Sequence, residues 1–143
     1  MNTGKVPKLA LFPLTAEVSK QGHLLIGGCD VVELAEEFGT PLYVFDEFTL
    51  RQKCREFKDE FCKYYSDTLV IYATKAFTNK ALILMLREEG LGLDVVSGGE
   101  LSIAHSVDFP MEKVCFHGNN KALQELKLAL DLGVGRIVVD NFY

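Results

Sequence analysis

The chain has 143 residues, 48% hydrophobic and 24% charged, which is ordinary for a globular protein and enough for a domain with a core. Its net charge of −5, with acids and bases interspersed, argues against nucleic acid as a main partner, because phosphate recognition needs a clustered basic surface. No apolar run approaches the ~20 residues of a membrane span, and the opening "MNTGKVPKLALFPLT" holds too short an apolar stretch for a signal peptide. A cytoplasmic protein with no membrane partner is expected.

Residues 1 to 29 read as irregular, with one strand-like run, "GHLLIGG". A helix follows in "DVVELAEEFGTP", with Asp30 as N-cap and Gly39 as stop. "PLYVFD", 41 to 46, reads as a short strand that opens on a proline, where a strand tolerates one. A long helix is predicted from about Glu47 to Tyr65, with Leu50, Cys54, Phe57, Phe61 and Tyr65 as its apolar stripe. Four cysteines, Cys29, Cys54, Cys62 and Cys115, form no CxxC pair and show no zinc spacing against the histidines. They read as reduced, partly buried thiols.

From residue 69 the pattern becomes regular. "LVIYAT", "LGLDVV", "KVCFHG" and "RIVVD" are strands of largely continuous apolar residues. "NKALILMLREEG", "GGELSIAHSV" and "NKALQELKLALDLG" are the helices between them, with Asn79 as a cap and Gly90 and Gly133 as stops. Strand centres near 72, 94, 115 and 137 give a repeat of about 22 residues. Strands alternating with helices imply a parallel sheet covered by helices. A doubly wound sheet and part of a (β/α)8 barrel both fit. A whole barrel needs ~200 residues or more, so a fragment or a short gene product is expected, with an open sheet edge and a tendency to associate.

Ligands in parallel α/β folds sit beyond the carboxyl ends of the strands. The residues there are Lys75, Asp94 to Ser97, His117 with Asn119 and Asn120, and Asp140 with Asn141. Apolar neighbours around Lys75 would favour a neutral, nucleophilic amine. On spacing alone, however, the ordinary reading is a lysine that snorkels to solvent. Asp94, a carboxylate inside an apolar strand, needs a partner. Lys75 on the neighbouring strand end is one choice and local backbone is the other. Gly98 and Gly99 open a helix that could hold an anion, but the GxGxxG order is absent. His117 reads first as a structural histidine. Glu100 and Glu125 read as helix-dipole partners with no other role.

"GTPLYVFDE" (39 to 47), "YATKAF" (72 to 77), "GLGLDVVSGGEL" (90 to 101), "HGNNK" (117 to 121) and "GVGRIVVDN" (133 to 141) resemble, in the same order, motifs of diaminopimelate decarboxylases. These are pyridoxal-phosphate enzymes of the alanine-racemase-like fold. The likeness covers nearly the whole chain from Phe12. "YATKA" is shared more widely with ornithine decarboxylases, whereas "DVVSGGEL" with "HGNNK" is closer to the diaminopimelate branch. Phe77 stands where many relatives have asparagine.

The resemblance implies a partial (β/α)8 barrel at 47–143: about three parallel βα units and a fourth strand. The segment 1–46 before it carries strands that pack with a C-terminal β-domain in the family. It also implies that Lys75 carries pyridoxal 5′-phosphate as a Schiff base. Ala73 would then lie beneath the cofactor ring and Asp94 beside the lysine, with His117 and Asn119 as further cofactor-binding candidates. The expected reaction is decarboxylation of the small-molecule amino acid meso-diaminopimelate to L-lysine, in a homodimer, without a metal. The remaining barrel strands, the glycine-rich phosphate site and the acid facing the pyridine nitrogen would lie beyond Tyr143, so this chain alone is expected to be inactive. An ornithine- or arginine-type decarboxylase, an amino-acid racemase of the same fold, and a non-catalytic chain that binds a homologue are the alternatives.

Overall fold

A computed structural model describes residues 11–140. The predicted segments 1–10 and the rim residue Asn141 lie outside the described residues. Backbone contacts divide the chain into two compact units that meet within one helix, at Lys53 and Cys54.

The first unit is built on a three-stranded antiparallel meander, β1 (Glu17–Val18), β2 (Leu24–Ile26) and β3 (Cys29–Asp30). Only β2 was visible in the sequence pattern. Helix α1 (Val31–Phe38) follows, and Asp30 caps it by accepting the Val32 N–H at 2.8 Å. His23 Nδ1 holds the other Asp30 oxygen at 2.8 Å.

The predicted strand at 41–46 does not form. The segment is irregular and follows a cis peptide bond at Thr40–Pro41. Pro41 has no N–H to give a ladder, and among the described residues no strand pairs with this segment. Its apolar side chains are exposed, Tyr43 to 90%. The segment ends on buried Asp46, which caps helix α2 (Glu47–Cys62) by accepting from Thr49 N and Thr49 Oγ1. Burial raises the pKa of Asp46, but the hydroxyls of Thr49 and Thr15 and two backbone N–H groups outweigh it, so the carboxyl lies below its usual value.

The second unit contains the end of α2 and a four-stranded parallel sheet: β4 (Ile71–Ala73), β5 (Gly92–Val95), β6 (Val114–Phe116) and β7 (Arg136–Ile137). The spatial order equals the chain order, β4-β5-β6-β7. A doubly wound sheet reverses its strand order at a switch point. The sequential order is that of a barrel wall, and it decides between the two architectures the pattern allowed.

Helices α3 (Lys80–Glu88), α4 (Gly98–His105) and α5 (Leu123–Asp131) link the strands. Asn79 caps α3 through Leu82 N at 2.8 Å, as its position in the sequence predicts. Gly90, at φ +76°, ends the helix in a left-handed conformation that glycine adopts without a Cβ penalty. The core lies between the sheet and these helices. Ile83 and Leu86 of α3, Leu93 and Val95 of β5, and Val114 and Phe116 of β6 are buried in it.

Two apolar predictions fail. Leu69 and Ile71 are partly exposed, because β4 has a neighbour on one side only. Phe57 and Phe61 are each 58% exposed and Tyr65 is exposed as well, so the apolar stripe of α2 is not a core face here. Instead, polar contacts tie α2 to the turn after α3. Arg55 makes a two-pronged contact with the buried Glu89 carboxylate, both N···O distances being 2.8 Å, and Lys58 Nζ donates to Glu89 O.

Candidate functional site

The carboxyl ends of the four parallel strands bring the predicted residues to one rim. Ala73 ends β4, half-buried, in register with Asp94 of β5. Beyond Ala73 the backbone tightens into a 3-10 turn, Thr74–Ala76, and Lys75 sits at its centre. The turn lifts Lys75 off the sheet. Its side chain is exposed, not enclosed by apolar neighbours. Among the described residues it has no hydrogen bond or ion pair.

The expected Lys75–Asp94 pair is therefore absent. Asp94 is the one residue of β5 that is not buried, and the side chain it faces is the His117 imidazole, with Nδ1 3.7 Å from Asp94 Oδ1. The Nε2 of His117 lies 3.7 Å from Asp140 Oδ1. His117 thus stands between carboxylates from β5 and from the segment after β7. Its backbone N–H continues the ladder to Val95 O at 2.8 Å. Asn119 is exposed in the following loop and lines a separate cavity of about 240 Å³ with Lys121, Leu126, Ile137 and Asp140.

The suggested anion site at Gly98 and Gly99 is already in use by the chain's own groups. Gly98 N–H donates to Glu125 Oε1 at 2.7 Å, and Ser97 Oγ accepts Glu100 N–H at 3.3 Å. Glu125 Oε2 also accepts Ala122 N–H at 3.0 Å. Glu100 Oε2 accepts Val96 N–H and the Thr74 hydroxyl, each at 2.7 Å. Glu100 and Glu125 are thus not idle dipole partners. They stitch the β4–α3, β5–α4 and β6–α5 loops together. The S-x-x-E spacing of Ser97 and Glu100 is the sequence signal for a local contact of this kind. The reach of Glu125 to Gly98, across 27 residues, leaves no local trace.

Bonds from the Gly98 and Ala122 N–H groups hold the Glu125 carboxyl below its usual range. A carboxylate with a depressed folded pKa adds stability that is present above the unfolded value and lost on acidification. An NMR titration of Glu125 should show a midpoint below the ordinary ~4.3. The Gly98 amide should lose exchange protection as the pH falls through that midpoint. A midpoint at or above the ordinary value refutes the bond.

Near the rim, Tyr72 Oη donates to Phe77 O at 3.1 Å, and burial pushes the phenol pKa up. Among the described residues no cluster of three metal-binding side chains occurs, and no helix is long and apolar enough to cross a membrane.

The rim thus carries an unpaired lysine and a carboxylate beyond adjacent strands of a parallel βα wall. The comparison with known families is specific. The pyridoxal-binding-domain model of the pyridoxal-dependent decarboxylases matches residues 48–143, and the chain belongs to that family.

The chain is 51% identical over 129 residues to the diaminopimelate decarboxylase of Bacillus methanolicus, covering 90% of this chain and 30% of that protein. It is 50% identical to the Bacillus subtilis enzyme, covering 90% of this chain and 29% of that one. The crystal structure of diaminopimelate decarboxylase from M. jannaschii in complex with L-lysine superposes with a TM-score of 0.78 at 37% identity, covering 89% of this chain and 30% of that one. The chain thus spans about 30% of the length of these relatives.

Proposed function

We propose that the chain supplies the cofactor-lysine portion of a cytoplasmic, homodimeric decarboxylase that converts meso-diaminopimelate to L-lysine. The observation that carries the reading is Lys75: an exposed, unpaired amine at the end of β4, in a chain half identical to diaminopimelate decarboxylases. A free amine fits an aldehyde, which it attacks with its lone pair. The helix start at Gly98 does not fit a phosphate, because Glu125 occupies its N–H.

When bound, pyridoxal phosphate supplies an electron sink for the pair left behind as the carboxylate departs as carbon dioxide. The chain's own residues do the rest at this rim. Lys75 Nζ would hold the cofactor at its carbonyl carbon and, once freed, could carry a proton and return it. Ala73, small and half-buried beside Asp94, would leave room for the cofactor. His117 stands 3.7 Å from Asp94 at the strand ends, and Asn119 offers an amide at the rim.

Mixing the chain with pyridoxal phosphate, reducing with borohydride and mapping the labelled peptide tests the assignment. Label is expected on Lys75 and is lost in Lys75→Ala. Label on another lysine, with Lys75 clean, overturns it.

A further inference from the structure

We propose that Thr74 is the positioning residue for Lys75, its hydroxyl pinning the lysine-bearing turn to the end of β5 and the first turn of α4. The inference rests on the reading of Lys75 as the cofactor lysine. Thr74 is 2% exposed, directly beside the exposed Lys75. Its Oγ1 lies 2.8 Å from Asp94 O and 2.7 Å from Glu100 Oε2. The backbone carbonyl of Thr74 accepts from Thr78 Oγ1. Tyr72 closes the same loop from the other side through Phe77 O.

The backbone on both sides of Lys75 is therefore tied down while its amine has no partner. That is the arrangement a reacting lysine needs: a fixed root and a free tip. A displacement of about 1 Å at the root is enough to cost ~100-fold in a reaction that depends on alignment. The hydroxyl is what matters, not the bulk. Valine has nearly the same shape as threonine but has no hydroxyl proton for Glu100 Oε2 and Asp94 O to share. The carboxylate itself is held by Val96 N–H at 2.7 Å, so the anchor to which Thr74 binds is already fixed.

The test compares Thr74→Val, Thr74→Ser and Glu100→Gln with the wild-type chain by two readouts. One is amide exchange at residues 75–78. The other is the ratio of borohydride-trapped pyridoxal phosphate on Lys75 to that on the exposed Lys80. Thr74→Val should raise exchange in the turn roughly tenfold, the loss of one hydrogen bond to a charged acceptor. Exchange at Leu93 and Val114 should not change, and the labelling ratio should fall. Thr74→Ser should restore both, and Glu100→Gln should lie between. Wild-type exchange and labelling in Thr74→Val overturn the proposal. If Thr74→Val does not fold, unchanged exchange at residues 75–78 in Thr74→Ala, which also removes the hydroxyl, overturns it instead. Label on Lys80 with Lys75 clean in the wild-type chain refutes the cofactor-lysine reading, while exchange still decides whether Thr74 pins the turn.

Discussion

Gly135→Ala should destabilise the sheet unit by roughly 3 kcal/mol or more, with β7 detaching from β6. A Cβ built on Gly135 would stand 2.0 Å from Glu112 O and 2.7 Å from Glu112 C. Those atoms are backbone, in the 3-10 turn Met111–Lys113 that leads into β6. No rotamer change can relieve the clash, so a strand or the turn must move. Gly135 N–H also donates to Met111 O at 3.0 Å, which fixes the glycine against that turn. Gly92, at the start of β5, makes the same kind of approach, with its virtual Cβ 2.6 Å from Lys113 O.

Because β7 is an edge strand of two residues, moving it costs less than moving β6. The expected signature is a lower urea midpoint together with rapid exchange at Val138 N–H, which donates to Phe116 O at 2.9 Å in the intact sheet. His117 would also lose Asp140 as a neighbour, since Asp140 follows β7. Gly99→Ala is the control. Its virtual Cβ meets nothing nearer than Ser97 Oγ at 3.8 Å, and the residue is helical. It should be stabilising by about 0.5–1 kcal/mol. Equal stability in Gly135→Ala and wild type would show that Gly135 is not held against the Met111–Lys113 turn.

What could be read from the residues follows the range of the forces involved. Caps and stops are decided within a few residues, and Asp30, Asn79 and Gly90 act as their local sequence predicts. The βα repeat is equally legible, because apolar runs and amphipathic helices are local patterns with global consequences. The order of the strands is not local, and only the structure separates a barrel wall from a doubly wound sheet.

The stripe of Phe57, Phe61 and Tyr65 misleads for a related reason. Periodicity shows which face of a helix is apolar, but not whether anything covers that face. The segment 41–46 has strand-like composition and no strand partner. At the site, Lys75 was visible as an anomaly at the end of an apolar run. The contacts that shape its surroundings cross 20 to 27 residues, from Thr74 to Asp94 and Glu100 and from Gly98 to Glu125. Residue type alone does not assign such pairs: it offered Lys75 or local backbone for Asp94, where the structure places His117.

Phe116→Ala should cost ~3–5 kcal/mol, the range for deleting a fully buried aromatic side chain. Phe116 is completely buried and is the largest of the fully buried side chains. It ends β6, a strand with neighbours on both sides, where it pairs with Val95 and Ile137. Close-packed interiors collapse only partly around a deletion, and here hydrogen-bonded strands flank the site, so most of the cavity should persist. A domain of this size has about 5–15 kcal/mol to lose. The variant is therefore expected to be folded but far less resistant to urea, with an unchanged dependence on denaturant.

The consequence reaches the rim through the backbone. His117 follows Phe116 directly, and its N–H bond to Val95 O depends on β6 keeping its register. Amide exchange at His117 should rise with that at Phe116, while Lys75, carried by β4 and held through Thr74, should change less. Parallel rises at Lys75 and His117 would show that the four strand ends open as one cooperative unit, and that the bond from Thr74 does not protect the lysine turn independently of the core.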